Sequence, residues 1–175
     1  MIDRFLICLP YTLTQEGSYS NDPHDPGGAT MWGITQKEYD IWRKGQHVPV
    51  QDVRLLTTSE RTTIYRTSYW MPYCPAMPPG LDMSFFDTDV NEGAFQATKI
   101  LQAALGVAVD GYFGPHTQDA IERVADVPAA IRAFTKVREA VYKSFRNFRY
   151  FGKGWEQRAA TIGAVSLEMA SGNTS

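Results

Sequence analysis

Thirteen consecutive residues, Ser18-Tyr-Ser-Asn-Asp-Pro-His-Asp-Pro-Gly-Gly-Ala-Thr30, constrain this chain more than any other stretch, because nine of them are Ser, Asn, Asp, Pro or Gly. Proline removes a backbone donor, glycine carries the largest entropy cost in a helix, and short polar side chains bond their own backbone, so no regular helix crosses the segment. It reads as an irregular loop or a short hairpin ending near Trp32-Gly33-Ile34. What lies on either side is helical in pattern. Upstream, Phe5, Leu6, Leu9 and Leu13 share one face of a helix over residues 3–15, which Pro10 is expected to kink or shorten. Downstream, Thr35-x-x-Glu38 and Thr57-x-x-Glu60 are capping boxes, predicting one helix over Gln36 to Arg43 and another running to about Trp70.

The second half is helical as well. After a proline-rich connection from Met71 to Gly80, apolar residues recur at helical spacing from Asp82 to Leu105, with Gly106 as the stop. Residues 107–115 form a turn-rich link into a helix that starts at Pro115. A long helix is predicted over Ala129 to Phe148, its buried stripe being Ile131, Phe134, Val137, Val141, Phe145 and Phe148, and a closing helix over Trp155 to Met169. The expectation is a mainly α fold with a small β-hairpin or irregular loop. At 175 residues a single domain is expected over 1–175, with one half at 1–80 and a helical half at 81–170.

Composition narrows the class. Hydrophobic residues at 43% and charged residues at 21% fit a chain with a real core. No run of about 18 apolar residues occurs, so no stable membrane insertion is expected. The apolar stretch at the start is too short for a persuasive signal peptide. The net charge of -2 hides a segment, residues 132–158, that is net +6 and leaves -8 elsewhere. That distribution argues against a nucleic-acid partner and leaves a basic strip, including Arg138, Arg146, Arg149 and Lys153, as a solvated helix face or a meeting point for anionic polymers or lipid. Cys8 and Cys74 are expected as free, buried thiols. His24, His47 and His116 lack ligand spacing, so no metal and no cofactor is expected.

The residue types around the loop suggest acid catalysis. Glu16 sits where a helix ends, and a carboxyl group there meets the negative end of the helix dipole, which favours the neutral acid. A proton-bearing carboxyl is what glycoside hydrolysis needs, usually with a second acid across the sugar, and Asp22 and Asp25 follow on the loop with Thr30 beyond them. Asp before proline is also an ordinary turn residue.

Residues 16–34, E-G-S-Y-S-N-D-P-H-D-P-G-G-A-T-M-W-G-I, closely resemble the signature loop of the glycoside hydrolase family 108 type of N-acetylmuramidase, a family that includes phage endolysins and bacterial proteins once labelled secretion activators. The resemblance continues through Tyr69-Trp70, Phe86-Asp87-x-x-x-Asn91-x-Gly93, Leu101-Gln-x-x-Leu-Gly106, Asp110-Gly-x-Phe-Gly-Pro115-x-Thr117 and Gly154-Trp-x-x-Arg158, covering most of the chain in order. It implies a lysozyme-like fold with the hairpin beside the catalytic helix end, and Glu16 as the catalytic acid. The stretch from Leu101 to Thr117 resembles a peptidoglycan-binding-type motif, integral to the fold, whose Asp110, Gly111, Gly114 and Pro115 either build a tight turn or contact glycan. The chain departs from the common E-G-G-Y pattern at Ser18, a costly residue only if the backbone there takes positive φ.

The expected function is hydrolysis of the β-1,4 bond between N-acetylmuramic acid and N-acetylglucosamine in peptidoglycan glycan strands. Glu16 protonates the leaving oxygen, Asp25 or Asp22 orients water or stabilises the oxocarbenium-like transition state, and Thr30 supports the water. Tyr19, Trp32, Tyr69, Trp70 and Tyr73 are candidates for stacking on sugar rings. Asp87 and Asn91, one helical turn apart, either bond the glycan or belong to a buried network. A lytic transglycosylase on the same fold, and a wall-binding or secretion-accessory module without turnover, are the alternatives. A monomer is expected, held in the cytoplasm until release to the periplasm and cell wall, as for a phage or prophage lysin.

Overall fold

The computed structural model describes residues 3–21 and 28–172. The described chain falls into two compact units, one of residues Asp3–Ser68 and one that begins at Tyr69. The division lies in a wide helical turn and not in the proline-rich stretch 71–80, because that stretch is itself packed: Cys74 and Met77 are buried, and Met77 N–H donates to the Cys74 carbonyl at 2.9 Å.

The first unit opens with α1 (Arg4–Gln15), which buries Phe5, Cys8, Leu9 and Thr12. Pro10 does not break it. Pro10 and Leu6 both lie on the exposed side of the helix, so the carbonyl that loses its donor is on the side that water can reach. Three two-residue strands follow, β1 (Tyr19–Ser20), β2 (Thr30–Met31) and β3 (Ile34–Thr35), in an antiparallel sheet of order β1-β2-β3. Tyr19 pairs with Met31 and Ser20 with Thr30, while Thr30 pairs with Thr35 and Met31 with Ile34. Of the loop or hairpin left open by the sequence, the described part is thus a hairpin joined to a third strand.

Both capping boxes form as predicted. Thr35 caps α2 (Gln36–Gly45), and Thr57 caps α3 (Thr58–Ile64), which widens into a π-type turn over Tyr65–Trp70. Glu60 ties these two helices together: its carboxylate accepts from Thr57 N–H and Oγ1, from the Tyr39 hydroxyl at 2.9 Å and from Arg43 at 2.7 Å. Burial opposes its ionisation, but these donors prevail and hold its pKa below the usual glutamate value.

The second unit is built on α4 (Leu81–Glu92), which is buried all round from Leu81 to Asp89 and packs against α5 (Ala94–Ala104), α7 (Val127–Ser144) and α8 (Phe148–Ala170). The sequence suggested one helix over 82–105; there are two, separated at Gly93, whose φ of 83° lies outside any helix and in the region that glycine alone enters without strain. Apolar spacing persists across the break because both helices face the same core. Pro115 opens α6 (Pro115–Glu122), as predicted.

The long helix predicted over 129–148 ends earlier, at Ser144, and the closing helix begins at Phe148 instead of Trp155. Neither glycine nor proline marks this corner. Phe145 turns extended (φ -74°, ψ 137°), and its ring packs edge-on against Trp155 at 5.7 Å. Phe145 thus leaves the helical stripe, meets Trp155 on the following helix and is 38% exposed. Two members of the basic strip are also not surface residues: Arg138 and Arg158 are only 2% and 7% exposed.

Candidate active site

The acid at the end of α1 is positioned by its backbone. Glu16 leaves the helix in extended conformation (φ -90°, ψ 138°), with its N–H donating to the Leu13 carbonyl, and its half-buried side chain reaches the turn between β2 and β3. That turn is Trp32-Gly33, and both residues have positive φ, 48° and 76°, the pattern of a type I′ hairpin turn. A Cβ at residue 33 would lie 2.7 Å from Glu16 Oε2 and 2.9 Å from the Tyr65 hydroxyl oxygen. Glycine is needed at 33 twice over, once for its φ and once because a carboxylate and a phenol occupy the space that a side chain would take.

Tyr65 is the residue that sequence reasoning missed. It is fully buried, and its hydroxyl donates to the Trp32 carbonyl at 2.7 Å, anchoring the turn against which Glu16 rests. No local pattern singles it out, since it sits on the π-type turn after α3, more than thirty residues from the hairpin it holds. Arg61 was missed as well: its guanidinium lies 4.8 Å from the Trp32 ring centroid, a cation–π contact that helps hold a non-glycine residue at positive φ.

Of the other residues proposed from sequence, Tyr19 and Thr30 stand on the sheet, and Trp32 stands in its β2–β3 turn with its N–H donating to the Ser18 carbonyl at 3.3 Å. Thr30 Oγ1 donates to the Gly28 carbonyl at 3.2 Å, and Tyr19, 40% exposed, carries the Arg54 guanidinium over its ring at 5.7 Å. Asp22 and Asp25 lie outside the described residues. Ser18 is not among the described residues with positive φ, so serine in place of the family's usual glycine carries no backbone penalty there.

Tyr69, Trp70, Asp87 and Asn91 belong to the second unit. Trp70 is buried, edge-on to Phe86 at 5.4 Å, while Tyr69 is half-buried. Asp87 is wholly buried; one carboxylate oxygen accepts from Arg158 at 2.9 Å, the other from Arg138 at 2.8 Å and from Arg158 Nε at 3.0 Å. The Asn91 side-chain oxygen accepts from the Tyr142 hydroxyl at 2.7 Å and from Arg138 at 3.3 Å. Of the two roles left open for Asp87 and Asn91, the structure holds the buried network. Beside it, burial pushes the Glu92 pKa up against the pull of Arg138, and the Asp89 pKa up to about 7.

The motif from Leu101 to Thr117 is organised by Gln102, which is buried. Its amide nitrogen donates to Asp110 Oδ1, the Tyr112 carbonyl and Thr117 Oγ1, and its oxygen accepts from the N–H groups of Asp110 and Gly111. Asp110 and Gly111 therefore build the tight link between helices, and bonds from Tyr112 N–H and Gln102 hold the Asp110 pKa below the usual aspartate value. Among the described residues no group of three His, Cys, Asp or Glu side chains is arranged to hold a metal ion.

A mainly helical chain that sets a carboxyl group at a helix end against the turn of a small hairpin has the architecture of a lysozyme-like glycosidase. The comparisons agree: the family model described as glycosyl hydrolase 108 matches residues 9–93, from within α1 to the Gly93 break. A solved structure titled "Structure of Brucella abortus SagA" is 34% identical, with a TM-score of 0.82 over 95% of this chain and 95% of that one. The chain belongs to glycosyl hydrolase family 108 and has its lysozyme-like fold. No curated protein matches.

Proposed function

We propose that the chain is a peptidoglycan hydrolase of the N-acetylmuramidase type, cleaving the β-1,4 bond from N-acetylmuramic acid to N-acetylglucosamine, with Glu16 as general acid. The observation that carries this reading is the Glu16 carboxyl held against Gly33 at the end of α1. Glu16 gives its proton to the glycosidic oxygen as the bond from that oxygen to the sugar C1 breaks. Water then adds to C1, its lost proton going to a base that we assign to Asp25, with Thr30 close to the water and Asp22 the alternative base. Tyr19 on β1 and Trp32 in the turn that Gly33 completes are the rings we assign to the apolar faces of sugars.

The test is mass analysis of the fragments released from purified sacculi by the parent and by Glu16→Gln. The expected result is reducing-end muropeptides from the parent, and loss of about 100- to 10,000-fold in rate for the variant with binding to sacculi kept. Products lighter by one water would make the chain a lytic transglycosylase. Binding without release would make it a wall-binding module. More than a tenth of the parent rate in Glu16→Gln would remove Glu16 from its role.

A further inference from the structure

The corner between α7 and α8 presents a surface that the glycosidase reading leaves unused. Residues 145–155, Phe-Arg-Asn-Phe-Arg-Tyr-Phe-Gly-Lys-Gly-Trp, contain five aromatic residues, three basic ones and no acid. Tyr150 and Phe151 are 67% and 57% exposed, Phe145 is 38% exposed, and Arg146, Arg149 and Lys153 are exposed around them. The Glu156 carboxylate, the nearest acid in sequence, already pairs with Lys143 at 3.4 Å.

These rings are held outward by packing beneath them. Buried Tyr142, fixed by its hydroxyl to Asn91, stacks on Trp155 at 5.5 Å; Trp155 in turn meets Phe151 at 5.8 Å, and Phe151 meets Tyr150 at 6.4 Å. The ladder thus runs from the core to the surface. Gly152 lies under the Phe148 ring, where a Cβ would come within 2.6 Å of it, so that ring is seated on its own helix. Arg149 covers Tyr150 at 4.5 Å.

We propose that this corner docks on an anionic lipid surface, with Tyr150 and Phe151 entering the headgroup layer and Arg146, Arg149 and Lys153 meeting the phosphates. The chemistry favours lipid over glycan. Phe151 has no polar atom with which to meet a sugar hydroxyl, and the segment has no carboxylate to accept from one. Exposed rings ringed by cations are what an anionic bilayer interface selects. The proposal does not depend on Glu16, and α8 need not enter the bilayer, since no described helix is long and apolar enough to cross it.

The test is co-sedimentation of the full chain with vesicles of phosphatidylcholine alone and with about 30% phosphatidylglycerol, where each basic residue near the surface adds attraction that salt weakens. Two variants are compared, Arg146→Gln/Arg149→Gln/Lys153→Gln and Tyr150→Ser/Phe151→Ser, each checked by thermal melting. The expected result is binding to the anionic vesicles only, lost by about tenfold or more in both variants with unchanged melting. Loss in the charge variant alone would reduce the surface to diffuse attraction and overturn the docking. Absence of vesicle binding would overturn it too, and binding to sacculi that both variants lose would assign the corner to wall glycan instead.

Discussion

Gly33 concentrates the local argument, because one residue meets three demands: positive φ, room for the Glu16 carboxylate and room for the Tyr65 hydroxyl. Gly33→Ala is expected to lower stability by about 1–2 kcal/mol through backbone strain alone and to displace Glu16. Its melting temperature should fall by a few degrees while kcat falls at least tenfold, as expected when a small misplacement disturbs a reacting group. A normal kcat in a destabilised Gly33→Ala would show that the acid does not rest on the turn. Tyr65→Phe isolates the anchor. It removes the bond to the Trp32 carbonyl and leaves the ring, so a stability loss of about 1 kcal/mol is expected, with a fall in kcat larger than any change in KM.

At the scale of elements, α4, α7 and α8 are fastened by one carboxylate between two guanidiniums, Asp87 between Arg138 and Arg158. Removing the carboxylate on which both guanidiniums converge leaves buried positive charge under-compensated even though Arg138 keeps Glu92 at 3.2 Å, and breaking a buried charge cluster typically costs about 3–5 kcal/mol. Asp87→Ala should therefore be among the most destabilising single substitutions in the chain, measured by chemical denaturation. The same geometry changes what the basic segment means. Arg138 and Arg158 hold the core; of the exposed cations, Lys143, Arg146, Arg149 and Lys153 lie at the corner where α7 ends and α8 begins, while Arg132 and Lys136 sit further back on α7.

For the whole molecule, pH dependence of stability follows chiefly from Asp89, buried with Oδ2 lacking a hydrogen-bond partner, with Glu92, whose pKa burial also raises, acting in the same sense. The Asp89 pKa rises from 3.8 to about 7 on folding, so between those values the native state holds a proton that the unfolded chain has lost. Stability from this group is present in full below pH 3.8, declines as pH rises, and is gone above about 7, with a ceiling of about 1.4 kcal/mol per pH unit. Asp3, Asp52, Glu60 and Asp110, with lowered values, act in the opposite sense at the acid end. Melting temperature should therefore peak in mildly acidic buffer and decline toward neutrality. Asp89→Asn, which keeps the shape and cannot ionise, should flatten that decline and be more stable than the parent at neutral pH. An unchanged profile would show that Asp89 does not titrate in this range.

Local chemistry made much of this legible from sequence. The two capping boxes fix the starts of α2 and α3 because a threonine and a glutamate three residues apart satisfy each other's backbone donors wherever the chain lies. Pro115 opens α6 for a similarly local reason, and the E-G-S-Y loop motif identified the family and pointed to Glu16. What the sequence alone left undecided depends on distant partners. Whether Asp87 faces a sugar or two arginines and whether Arg138 is surface or core are set by side chains that meet across as many as 71 residues of chain. Tyr65 is the clearest case: no local pattern singles it out, and only the folded chain brings its hydroxyl to the Trp32 carbonyl and so seats the turn beneath Glu16. Hydrogen bonds within a turn are written in neighbouring residues, whereas those that complete a site form only when burial has brought remote segments within reach of one another.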